Sequence, residues 1–380
     1  MELKYGLISA DSHAGFAKDA YTSRMSASKW GDKIPQVGPS ATEGLDGWSV
    51  YGRPPTGQVA NCPALMGGGL TPIYPKRWEE VPTNYYDPKE RLKALDADRI
   101  DAEVLFPNPP GNSFYRYGDP EFELDCVQAY NDILSEYACA SDRYWALATI
   151  PWLQSPESIV RELERAAEGA HRGVNMLGST PEGLPCLTDP HWDPVWDACM
   201  QLGLSLNFHG PADMRAGVGM FPRWSGYTQR QHHTAFTSPM AVSPAQIIPH
   251  LIFSGLTERF PDLKFVFAEA GIGGLNYALA AMDHEWETRH LWTEGMSSRP
   301  SETVRRQMFA NFWFEDEGIK LRHDIGIDNL MWESDFPHVT AYFPHSWDAV
   351  ERVLTGIPQE DRPKLLYENA LRVYRVGIGG

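Results

Sequence analysis

Long apolar runs are missing from this chain. No stretch of about 18 apolar residues occurs in it, so a transmembrane helix is excluded on length. The N-terminal MELKYGLISADSH holds no apolar leader core, so no secretory signal and a cytoplasmic location are expected. Cysteine is scarce: Cys62, Cys126, Cys139, Cys186 and Cys199 are an odd number, scattered and without a CxxC pair. Reduced thiols fit that pattern better than a disulfide framework. Positive charge is also short, with 33 Lys and Arg against 50 Asp and Glu and a net charge of −17. That balance argues against nucleic acid and against an anionic membrane surface as partners. No GxSxG nucleophile elbow and no Walker-type loop is present, and GIGG at 271–274 is not a dinucleotide fingerprint. Flavin and nicotinamide cofactors are therefore not implied.

What is present is a large apolar and aromatic content: 42% of 380 residues are hydrophobic, enough for one large barrel or two ordinary domains. Eight short apolar segments read as strands: 4–10, 102–108, 144–151, 173–178, 204–209, 264–269, 311–316 and 330–335. Their near-continuous hydrophobicity matches strands buried on both faces of a parallel sheet. Helical patterns fill the intervals at 86–99, 119–142, 155–170, 189–202, 243–260 and 272–294, and two more follow the last strand at 346–355 and 359–375. Asp87-Pro88 supplies an N-cap and a first-turn proline for the first of them. Strand followed by helix eight times over implies an α/β fold, a (β/α)8 TIM barrel in a single domain spanning 1–380. An open doubly wound sheet is the alternative. Two insertions, 14–85 after the first strand and 210–242 after the fifth, are expected to form lid or pocket loops. Their aromatic residues, among them Trp30, Trp48, Tyr51, Trp78, Phe221, Trp224 and Tyr227, suggest a lined pocket or a subunit interface.

The chemistry-bearing residues fall at strand ends. ISADSHA ends the first strand in Asp11 and His13, two residues apart and so on one face. The fifth ends in His209, the sixth in Glu269, and the eighth runs into Glu333-Ser334-Asp335-Phe336-Pro337-His338. Carboxylates and imidazoles converging at one barrel end need a cation or strongly shifted pKa values. With no thiolate in the set, Zn, Mn or Fe is the expected class of ion.

DSH, NFHG, ERFPDLKFVFAEAGIGGLNYALAAMD and WESDFPH together resemble the amidohydrolase-related metal-dependent barrels, a group of hydrolases and nonoxidative decarboxylases. By that resemblance Asp11 and His13 match the first-strand ligand pair, His209 the fifth-strand ligand, and Asp335 the eighth-strand aspartate that binds metal or handles a proton. The sequence departs from the common pattern in three places. The first-strand pair is Asp-x-His, the fourth strand GVNMLGS has no lysine, and the sixth ends in Glu269 rather than histidine.

The carboxylate-rich set that remains is Asp11, His13, His209, Glu269, Asp335 and His338, with His232, His233 and Glu103 as further candidates. It can hold two metals, with Glu269 or Asp335 bridging. The chain thereby also resembles the TIM-barrel nonheme diiron monooxygenases of platensimycin and platencin tailoring. That likeness implies two Fe, O2 as co-substrate and hydroxylation of a bulky apolar acyl group carried on coenzyme A. Phe208, Trp224 and Tyr227 would then bind substrate, and Arg223, with Arg215 and Arg230, would meet a phosphate or carboxylate. The alternative is a hydrolase or nonoxidative decarboxylase of a small-molecule acid with one Zn or Mn, in which Glu269 or Asp335 acts as base. A homodimer is expected if the apolar lid is exposed. A non-catalytic scaffold is disfavoured, because buried carboxylates without a function are costly.

Overall fold

The computed structural model describes residues 1–378, apart from 56–57, 68–71, 112, 211–225, 227, 229–230, 232–233, 236–237, 239–241 and 243. Its strands are β1 (Ile8–Ala14), β2 (Gln36–Pro39), β3 (Asp46–Ser49), β4 (Ala102–Pro107) and β5 (Tyr144–Ala148). They continue as β6 (His171–Met176), β7 (Ser205–His209), β8 (Phe265–Ala268), β9 (Met308–Phe312) and β10 (Leu330–Trp332). Eight of them form one sheet in the order β1-β4-β5-β6-β7-β8-β9-β10, and the register of every pair described within it is parallel. The spatial order follows the chain order with no reversal. A doubly wound sheet has a reversal at its switch point, so this order selects the singly wound (β/α)8 topology. The chain beyond β10 returns to β1: Asp335 N–H donates to Asp11 O at 3.1 Å, His13 N–H donates to Phe336 O at 2.7 Å, and Ser12 bridges Phe336 in parallel.

The first strand starts and ends later than expected. Residues 4–7 cannot join the ladder because their amides are already taken. Asp101 accepts the N–H of Lys4 at 2.7 Å, Tyr5 at 2.9 Å, Gly6 at 2.6 Å and Leu7 at 3.1 Å. At the other end, Asp11, Ser12 and His13 lie inside the strand instead of ending it, paired with β4 beyond a register shift between Ser9 and Ser12. The strand read at 264–269 stops at Ala268, before a left-handed residue; that read at 330–335 stops at Trp332, and beyond it Ser334 N–H turns to Ser9 Oγ at 2.9 Å. Glu269 (φ 48) is that left-handed residue, and Asp335 (φ 55) shares its backbone conformation, which a ladder cannot accommodate. The strand read at 311–316 lies at 308–312, because Glu315 turns the following amides toward its carboxylate, taking Trp313 N–H at 3.0 Å.

Helix ends follow local chemistry. Pro88–Asp98 is capped by Asp87, Pro120–Ala138 by Asp119 and Pro156–Glu168 by Ser155, each with proline in the first turn. On Pro88–Asp98 the buried residues are Arg91, Ala94, Leu95 and Asp98, the i, i+3, i+4, i+7 stripe of an inward face. Among the described residues no helix is long and apolar enough to cross a membrane.

The 14–85 insertion, expected from the sequence as loop, contains regular structure. β2 and β3 pair antiparallel, and Val59, Ala60, Cys62, Val81 and Tyr85 form a small core. Its aromatics pack on one another and on rings outside the insertion. Trp48 meets Tyr21 and Trp78 edge-on, Tyr51 stacks on Tyr117 at 5.1 Å, and Trp30 packs edge-on against Phe122. In these contacts Trp30 is buried, while Trp48, Tyr51 and Trp78 stay half-buried. Phe221, Trp224 and Tyr227 lie outside the described residues. The chain separates into two compact units. One comprises Met1–Asn175, Ser334–Asp348 and the residues from Val376 on; the other comprises Met176–Glu333 and Ala349–Arg375. All five cysteines are unpaired, as expected.

Candidate metal centre

In the first unit, β1 and the turn after β10 bring Asp11, His13 and Asp335 together. Each offers a ligand atom, and those atoms lie within 4.8 Å of one another. Asp11, His13 and Asp335 are 0%, 2% and 1% exposed. His13 Nε2 is 3.6 Å from Asp11 Oδ1 and 3.2 Å from Asp335 Oδ1. His13 Nδ1 lies 3.3 Å from Pro107 O, so the Nδ1–H tautomer donates there and leaves Nε2 facing the carboxylates. His338 stacks on His13 with ring centres 3.9 Å apart. Its Nδ1 is 2.8 Å from Asp335 Oδ1 and its Nε2 is 3.0 Å from Asn108 Oδ1. Thr340 donates its hydroxyl to the other Asp335 oxygen.

Backbone geometry aims these groups. Asp335 holds its left-handed conformation (φ 55) between two hydrogen bonds, one from its N–H to Asp11 O and one to its carbonyl from His338 N–H at 2.9 Å. A serine ladder locks the two segments together: Ser9 Oγ lies 2.9 Å from Ser334 Oγ, donates to Asp11 O at 2.6 Å and accepts Ser334 N–H at 2.9 Å.

The electrostatics are those of a site made for a cation. Burial, with the Asp335 charge added to it, pushes the Asp11 carboxyl well above the usual carboxylate range. Burial also acts to raise Asp335. The charge of His338, and the ring nitrogens of His13 and His338 close to its carboxylate, outweigh that and hold it well below the usual range. Two buried carboxylates that oppose each other's ionisation, beside an imidazole nitrogen aimed at both, fit a divalent ion. Their oxygen and imidazole donors suit Mn, Fe or Zn.

In the second unit, His209 ends β7 and Glu269 follows β8, with His209 Nδ1 3.7 Å from Glu269 Oε2. The left-handed backbone of Glu269 (φ 48) is held by the buried Glu333 carboxylate, which accepts Glu269 N–H at 3.1 and 3.0 Å. Glu103 is fully buried and gives both carboxylate oxygens to Arg91, at 2.9 and 2.8 Å. That ion pair is where the structure places it, apart from the ligand role considered for it. Phe208 is buried and stacked on Phe267 at 5.4 Å. His232, His233, Arg223, Trp224 and Tyr227 lie outside the described residues, as do Arg215 and Arg230.

Sequence reasoning passed over Asn108, Thr340, Arg91 and the Ser9–Ser334 pair. Asn108 and Arg91 each carried a signal. Asn108 follows an apolar strand directly, and Arg91 sits on the apolar stripe of its helix, a position an arginine rarely takes without a partner.

The model of the amidohydrolase family matches residues 72–376. The chain belongs to the amidohydrolase family. Amidohydrolase membership accords with the resemblance drawn from DSH and WESDFPH. A 2-amino-3-carboxymuconate-6-semialdehyde decarboxylase of Dictyostelium discoideum is 27% identical over 272 residues, covering 71% of this chain and 70% of the relative. An amidohydrolase structure from Mycobacterium avium subsp. paratuberculosis K-10 superposes with a TM-score of 0.78 at 19% identity, covering 98% of this chain and 100% of that one. A 5-carboxyvanillate decarboxylase variant of Novosphingobium aromaticivorans, with bound manganese and 3-methoxy-4-hydroxy-5-nitrobenzoic acid, superposes with a TM-score of 0.60 at 18% identity over 77% of this chain and 82% of that one. The TIM-barrel fold is thus shared. The chain is a metal-dependent enzyme type of this superfamily, and neither iron nor oxygenase chemistry finds support among these similar proteins.

Proposed function

We propose that this chain is a nonoxidative decarboxylase of a small aromatic or otherwise unsaturated carboxylic acid, acting with one divalent cation, Mn or Zn. The observation that carries the reading is the buried group Asp11, His13 and Asp335 in an amidohydrolase-family chain. His209, from the end of the fifth barrel strand, is assigned as the further ligand. A single domain spanning the chain is assigned as the catalytic body. The decarboxylase named in the Dictyostelium relative and the manganese and nitrobenzoic acid named in the Novosphingobium structure support the reaction, metal and substrate class.

Held by Asp11, His13 and Asp335, such a cation would supply Lewis-acid stabilisation of the negative charge that develops. The rest falls to side chains. In decarboxylation the bond from the carboxylate to its carbon breaks, carbon dioxide leaves with no electron acceptor needed, and the carbon must receive a proton. The Asp335–His338 pair is built to store one. In the orientation found, His338 Nε2–H donates to Asn108 Oδ1, and Nδ1 lies 2.8 Å from Asp335 Oδ1, so an imidazolium there carries the proton as the ion-pair partner of the carboxylate. That proton is the one delivered, and Asn108 and Thr340 fix the geometry of the donor.

The test is metal-reconstituted protein assayed without oxygen against hydroxybenzoic and carboxymuconate-type acids, reading carbon dioxide release and metal per chain. Anaerobic release with one Mn or Zn per chain is expected. A dinuclear oxygenase is the second reading, and the observation favouring it is the His209–Glu269 pair. Two Fe per chain with O2 consumption would establish that reading and overturn ours, and release of an alcohol or amine in place of carbon dioxide would assign a hydrolase.

A further inference from the structure

Arg91 is a fully buried arginine with every guanidinium nitrogen engaged. Its Nε donates to Glu103 Oε1 at 2.9 Å and its Nη2 to Glu103 Oε2 at 2.8 Å. Its Nη1 donates to His13 O at 3.1 Å, and its Nη2 also donates to Phe336 O at 3.2 Å. The guanidinium lies over the Phe336 ring, 4.2 Å from its centre. These two carbonyls are not arbitrary ones. One belongs to His13, and the other follows Asp335 directly in the chain.

We propose that Arg91 is a positioning residue for the metal ligands, a guanidinium clamp that sets the spacing between β1 and the 335–338 turn, with Glu103 as its charge-neutralising anchor. The inference rests on the metal site proposed above. Two backbone bonds already tie these segments, His13 N–H to Phe336 O at 2.7 Å and Asp335 N–H to Asp11 O at 3.1 Å. Phe336 O therefore accepts twice, once from His13 N–H and once from Arg91, which fixes that carbonyl in two directions. The bidentate pair with Glu103 in turn stops the planar guanidinium from rotating. A lysine cannot reproduce this, because one ammonium cannot meet a forked carboxylate and two separate carbonyls together. Had the position served packing alone, an apolar side chain would fill it without burying a charge.

The clamp makes two predictions that a general loss of stability does not. Arg91→Lys is compared with the double variant Arg91→Gln/Glu103→Gln, which keeps shape while removing both buried charges and guards against a variant that fails to fold. Arg322→Lys is the control, since Arg322 pairs with Asp361 at 2.6 Å and touches none of the candidate ligands. In metal-free protein the His13 and Asp335 amides of both Arg91 variants exchange about tenfold faster with solvent, the far-UV spectrum being kept. The Co2+ dissociation constant, read from visible absorption, weakens about 10- to 100-fold in the same variants. Arg322→Lys moves neither readout. Unchanged exchange at both amides in a folded Arg91 variant, or equal weakening in Arg322→Lys, overturns the clamp. Wild-type protein that takes up no Co2+ overturns the metal site instead, and the amide exchange still decides the clamp.

Discussion

At the scale of single residues, the centre depends on which groups keep a proton. Asp335 is held ionised by two imidazoles, whereas Asp11 is pushed toward its neutral form by burial and by the Asp335 charge. Asp335→Asn keeps the shape and removes the proton partner of His338. It should lower kcat by about 10²- to 10⁴-fold, the span of general acid–base catalysis. Asn108→Ala removes the acceptor of His338 Nε2 without touching a ligand. A drop in kcat of about 10- to 100-fold at unchanged metal content is expected, as for other groups that orient a site from behind. Steady-state kinetics with metal analysis on the same samples checks both. A metal-depleted Asn108→Ala protein would instead place Asn108 in the support of a ligand.

At the scale of elements, helix Pro88–Asp98 links stability to the site, because its inward stripe carries Arg91. Its start depends on Asp87, whose carboxylate accepts Lys89 N–H at 2.8 Å and Glu90 N–H at 3.3 Å. Asp87→Ala should cost about 1 kcal/mol of stability, the usual worth of such a cap. Urea unfolding checks this as a lower midpoint at constant slope. Elements of this kind were readable beforehand: Asp87-Pro88, Asp119-Pro120 and Ser155-Pro156 mark helix starts by local chemistry alone. Strand limits were less so. Asp101 gathering four amides from residues 4–7, left-handed Glu269, and Ser334 N–H turned to Ser9 Oγ are set by partners far away in sequence.

At the scale of the whole molecule, stability carries a pH dependence from His171. Burial, against a hydrogen bond from its ring to Ala166 O at 2.9 Å, depresses the His171 imidazole from 6.5 to about 4. The unfolded chain therefore binds a proton between these values while the folded chain does not. Stability should fall as pH drops from about 6.5 to about 4, by roughly 3 kcal/mol at most. His171→Gln keeps a donor for Ala166 O and removes the titration. Its stability should follow a flatter course over that window, measured by denaturant unfolding at several pH values. Curves that stay parallel to wild type would remove His171 as the cause.

By itself the amino-acid sequence determined the repeating strand–helix order, the helix starts and the identity of the polar residues at strand ends, because each follows from local patterning and short-range hydrogen bonding. DSH and WESDFPH could be read as a ligand pair and its counterpart for that reason. Only the tertiary structure decided that Asp11 and His13 lie within a strand, that Glu103 belongs to Arg91, and that Val59, Ala60, Cys62, Val81 and Tyr85 of the 14–85 insertion form a small core. The physical cause lies in the distance along the chain between partners. Glu103, Arg91, His13 and Phe336 meet in one hydrogen-bonded group, and nothing local to any of them records the other three.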